Sequence, residues 1–136
     1  LISIAVKDFE VSSFLVKKGY LEDQVAYSRH VLTTSREDLK AWRMAEGNPT
    51  AMTLCAAGRL KDAACIMAIG QVLNEPSIDV MAREFSYLSH PMMEHFLNVL
   101  EAFPRDLMGD TLSNVNTAVR LFVEKLLEPT FAGSSR

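Results

Sequence analysis

Imidazole, thiol and carboxyl side chains hold metals and move protons, so their spacing is the first test for chemistry. The run His90-Pro91-Met92-Met93-Glu94-His95 carries zinc-site residue types in an unsuitable register. Zinc-protease boxes place two imidazoles on one helical face. Here the histidines are five positions apart, roughly 140° round a helix, and His90 precedes a proline. A terminal or capping role is expected for His90 and a surface or boundary one for His95, with no metal and no cofactor. His30 stands alone. Cys55 and Cys65 lie among small apolar residues and form no Cys-x-x-Cys pair. Buried free thiols and a reducing, intracellular (cytoplasmic or nuclear) setting are expected, with a Cys55–Cys65 bridge as the alternative. No Gly-x-Ser-x-Gly elbow and no glycine-rich phosphate loop is present,. The acid pairs Glu22-Asp23 and Glu37-Asp38 fall in expected first helical turns, where the helix dipole favours carboxylates. These residues give no reason to propose an enzyme.

Charge placement says more. The net charge is −3, yet residues 29–61 hold six basic residues against three acids, and residues 75–110 hold two against seven. Arg36, Lys40 and Arg43 recur at i, i+4 and i+7, which sets three cations on one helical face. Arg29 and Arg59 are expected to extend that patch. Such a stripe suits phosphates or the acidic half of another protein copy, and it also suits a plain solvated face.

Methionine is the second bias, with all seven between Met44 and Met108. Met92 and Met93 diverge by about 100° on a helix and cannot both face one core. Val99 beside Leu100 and Leu127 beside Leu126 pose the same problem. Met92, Val99 and Leu127 are therefore expected to contribute to a protein interface.

The elements that would position these groups read as helical nearly throughout. With 136 residues, 49% hydrophobic and 23% charged, the chain suits one globular domain. No apolar run is long enough to span a membrane. The opening Leu1–Asp8 run has no basic stretch and acquires acid at once, so no signal peptide is expected. Lacking an initiator Met, the chain is expected to be a fragment or processed product.

Ser3 is expected to cap a first helix carrying Val6, Phe9 and Val16, with a stop at Gly19, and a strand over 11–16 is the alternative. Leu21, Val25, Ser28 and Leu32 form the face of a second helix. Ser35-Arg36-Glu37-Asp38 has the form of a capping box opening a third, closed by Gly47. Gly58 is expected to divide the next stretch into a short helix, 51–57, and a longer one, 59–73. Ile78, Met81, Phe85 and Leu88 share a further face. Pro91 opens a helix with the stripe Met93, Phe96, Leu97, Leu100 and Phe103, ended by Pro104. Asp110 or Thr111 caps the last, with Leu112, Val115, Val119, Phe122 and Leu126 inward. The spacing thus predicts an all-α single domain over 1–129, of seven or eight short helices packed as antiparallel neighbours, and a flexible tail over 130–136.

A closed bundle and a short solenoid of helix hairpins both fit this pattern. Ala57-Gly58-Arg59-Leu60-Lys61-Asp62-Ala63 resembles the turn between paired helices of tetratricopeptide and pentatricopeptide repeats. Those families repeat about every 34 residues, and no second copy stands at that distance. The expected function is a non-catalytic interaction domain that associates with itself through its Met- and Leu-rich C-terminal helices. The alternative is a nucleocapsid-like or coat-like protein holding RNA on the basic helix face, and an enzyme is the remote third reading.

Overall fold

Side-chain caps start three of the described helices. In the computed structural model, which describes residues 1–70 and 76–132, the order is α1 (Ile2–Lys17), α2 (Leu21–Leu32), α3 (Arg36–Ala45) and α4 (Pro49–Ala68). Then follow α5 (Ser77–Glu84), α6 (His90–Asp106) and α7 (Thr111–Phe122). From α7 the chain runs without interruption through a π-helical turn (Val123–Leu127) into α8 (Glu128–Phe131). Asn48 Oδ1 accepts from Ala51 N at 3.1 Å with Pro49 in the first turn, and Asp110 Oδ1 accepts from Ser113 N at 2.9 Å. Both side chains thus satisfy a first-turn N–H that has no partner within the helix. Gly47 has φ +83°, the left-handed conformation that ends α3. The first helix departs from expectation: it begins at Ile2 with Leu1 at the cap position and no capping side chain.

α4 and α6 form the centre of one packed domain. α4 packs on α1, α2, α3 and α6; α6 also meets α5, α7, the π turn and α8. Their shared core includes Leu60, Ile66, Phe85, Phe96 and Phe103, with Phe85 and Phe96 edge to face at 4.9 Å between centroids. The described residues contain no strand, and none of their helices is long and apolar enough to cross a membrane.

Four expectations are corrected. First, α4 continues straight through Gly58. A glycine costs a helix about 1 kcal/mol, but Ala56, Ala57, Leu60, Ala63 and Ala64 form one buried face across it, so packing carries the helix on. This removes the hairpin turn that resembled a repeat. α4 ends at Ala68 with Ile69 as its C-cap, short of the expected 73, and residues 71–73 of that expectation lie outside the described residues. Second, α6 incorporates Pro104 and runs to Asp106. Third, Met92 and Val99 are each 0% exposed. The inward stripe of α6 is Met92, Phe96, Val99 and Phe103, at i, i+4, i+7 and i+11, while Met93 and Leu97 are half-buried. This central helix is covered on two sides by its own chain, so Met92 and Val99 are core residues rather than a protein interface, and Leu127 is half-buried. Fourth, α7 is turned in part from its expected phase. Leu112 is 72% exposed and Val119 is also exposed, while Asn114, Ala118 and Leu121 are buried; Phe122 and Leu126 are buried as expected, and Val115 is half-buried.

Asn114 accounts for that last rotation. Its Oδ1 accepts from Gly109 N at 2.9 Å, and its Nδ2 donates to Gly109 O and to Glu10 Oε1 at 3.0 and 2.8 Å. A fully satisfied buried amide fixes the phase that hydrophobicity leaves open. Thr130 and Phe131, expected in the tail, are helical, and Thr130 Oγ1 lies 3.0 Å from His95 Nδ1.

Candidate functional site

The layer formed by α3 on α4 brings together the largest share of the residues singled out by sequence. Its position follows from Ser35 and Thr34. Ser35 Oγ accepts from Asp38 N at 3.1 Å while Asp38 Oδ2 accepts from Ser35 N at 2.8 Å, a reciprocal cap,. Thr34 N donates to Glu84 Oε2 at 2.8 Å and Thr34 Oγ1 to Glu84 O at 2.6 Å, tying the start of α3 to the end of α5. Trp42 and Ala45 are buried, and the Trp42 and Tyr87 rings meet edge to face at 6.2 Å.

With that inner face fixed, Arg36, Lys40 and Arg43 all project on the exposed outer face, over about 10 Å of helix axis. None of the three makes an ion pair among the described residues. Met44, 77% exposed, lies on the same helix. Arg29 is exposed on another element, in the last turn of α2.

Arg59 does not extend this patch. It is 9% exposed, with Nη1 2.9 Å from Asp62 Oδ2 and 3.6 Å from Asp38 Oδ2. Its Nη2 donates to the carbonyl of Leu32, the last residue of α2, where a cation favours the negative end of the helix dipole. The guanidinium carbon lies 5.2 Å from the centroid of the Phe85 ring, within cation–π range. One side chain thus joins α2, α3, α4 and the turn after α5, and its charge is neutralised inside the fold. The signal was in the sequence: Arg59 is three residues after Ala56 and four before Ala63, both core positions.

Behind α3 lies a pocket of about 260 Å³, lined by Asp38, Trp42, Cys55, Arg59, Asp62 and Tyr87 among others. Its charges balance, because Lys61 Nζ reaches Asp62 Oδ1 at 2.7 Å. Burial works to raise the Asp38 carboxyl, but the hydrogen bonds from Ser35 and the Arg59 charge hold it below the ordinary carboxylate value. Burial, helped by Asp38, pushes the Cys55 thiol up, which leaves it protonated at neutral pH and a poor nucleophile. Burial also raises the Tyr87 phenol, against the lowering effect of Arg59. Cys55 and Cys65 are both free, Cys65 buried and Cys55 half-buried. No group of three His, Cys, Asp or Glu side chains among the described residues is placed to hold a metal ion.

A larger groove, about 900 Å³, runs between α1, the end of α4 and the loop before α7. Glu10, on its wall, is already engaged by Asn114 and by Thr111 Oγ1, the latter at 2.9 Å. No family model, no curated protein and no solved structure matches the chain.

Proposed function

We propose that the chain is a non-catalytic α-helical interaction domain that receives an acidic macromolecular surface on the outer face of α3. The observation that carries this reading is the set Arg36, Lys40 and Arg43, aligned on one helical face and making no ion pair among the described residues. Complementary charge of this kind steers encounter and fixes register. The exposed Met44 thioether on the same helix favours a protein partner, since Met makes adaptable contacts. The net charge of −3 weighs against a general nucleic-acid binder, whose affinity rests on many phosphate contacts. The two free thiols fit a reducing, intracellular setting.

Binding of poly-L-glutamate and of a single-stranded RNA oligomer, titrated side by side at low salt, tests the reading. Poly-L-glutamate is expected to bind, and to bind at least about tenfold more weakly to the variant combining Arg36→Glu, Lys40→Glu and Arg43→Glu. Absence of binding to wild type, or binding unchanged in the variant, overturns the reading; RNA binding that exceeds poly-L-glutamate binding and disappears in the variant replaces it with the nucleic-acid one.

A further inference from the structure

The outer face of α6 has the same pattern as that of α3, with charge of the opposite sign. Glu94, Asn98 and Glu101 are all exposed and recur at i, i+4 and i+7, the spacing of Arg36, Lys40 and Arg43. Set side by side, the two helices match Arg36 with Glu94, Lys40 with the acceptor oxygen of Asn98, and Arg43 with Glu101. Neither glutamate makes an ion pair among the described residues. Arg105, one turn further along α6, is engaged by its own Asp106 at 3.1 Å and so does not cancel them. Both faces are backed by packed side chains, Trp42 and Ala45 behind α3 and Met92, Phe96 and Val99 behind α6. Packing thus seats both helices on the core, which fixes the helical faces that carry the charges.

We infer that the acidic surface received by α3 is the outer face of α6 on a second copy of this chain, an inference that rests on the function proposed above and names its partner. Two single-helix faces about 10 Å long bury less than a standard stable interface. The association is accordingly weak, concentration-dependent and screened by salt.

Sedimentation velocity on the full chain tests this. At 50 mM salt, the weight-average mass is expected to rise above 15.2 kDa with concentration, and at 500 mM salt to return to it. The double variants Arg36→Glu/Arg43→Glu and Glu94→Lys/Glu101→Lys are each expected to remain monomeric with unchanged helical circular dichroism. Mixing them restores association, because the reversed α3 of one then meets the reversed α6 of the other. A wild type that stays at the monomer mass at low salt overturns the inference, as does a Glu94→Lys/Glu101→Lys variant that associates like wild type. Poly-L-glutamate binding separates the two levels: a monomeric wild type that still binds it leaves the function of α3 standing and removes only the second copy as partner.

Discussion

Arg59 is the residue on which the α3 layer turns. Its guanidinium lies among Asp62, Asp38, the Leu32 carbonyl and the Phe85 ring, so it holds four segments with one charge. Removing it leaves Asp38 short of a cation and the end of α2 without a donor. Arg59→Met is expected to cost about 3 kcal/mol, toward the lower bound for a broken buried pair because Lys61 still faces Asp62,; urea unfolding with an unchanged slope checks it. The Asp38 carboxyl, held below its ordinary value by Ser35 and Arg59 against the effect of burial, binds its proton less readily folded than unfolded. Its contribution is therefore complete above about pH 4 and is lost as the pH falls through the lower native value. Thermal unfolding between pH 7 and pH 2 is expected to show a shallower acid decline for Asp38→Asn than for wild type. Ser35→Ala, which removes the other half of the cap, is expected to cost about 1 kcal/mol.

Among the elements, helix starts were the most legible part of the sequence. The Ser35/Asp38 cap, the Asp110 cap and the Gly47 stop act locally, through groups within a few residues of one another, and local chemistry can be read locally. Gly58 was not legible, because whether a glycine interrupts a helix depends on what lies across from it. Here a continuous alanine-rich face against α1 and α2 decides the matter. A Cβ at Gly58 would meet nothing within 4 Å, so Gly58→Ala is expected to stabilise the chain by up to about 1 kcal/mol. A true turn there would make the same change destabilising, and the sign of the shift in the urea midpoint distinguishes them. The phase of α7 was also hidden, since apolar residues line two of its faces and a polar residue, Asn114, selects between them. Leu121→Ala is expected to cost about 3 kcal/mol, whereas Leu112→Ser stays within about 0.5 kcal/mol. Equal costs in chemical denaturation would contradict the observed phase.

For the molecule as a whole, the all-helical single domain was readable because hydrophobic period and short connections point the same way. The candidate site was readable only in part. Arg36, Lys40 and Arg43 share one short helix, so spacing alone sets their common face. Met92 and Val99 on α6 depend on long-range neighbours in α4 and α7, which no local pattern contains, whereas the burial of Arg59 follows from its spacing to Ala56 and Ala63 once α4 runs through Gly58. The segregation of charge survives folding, with the cations on α3 and the free glutamates on α6, each on the outside of a packed helix. Trp42, the chain's one tryptophan, sits on the inner side of the same α3 whose outer side carries the cations. Its fluorescence therefore reports whether that helix is seated, separately from the rest of the fold. If α3 lifts before the core melts, emission shifts to the red while far-ultraviolet dichroism holds, and the chain reveals the local opening with no added label.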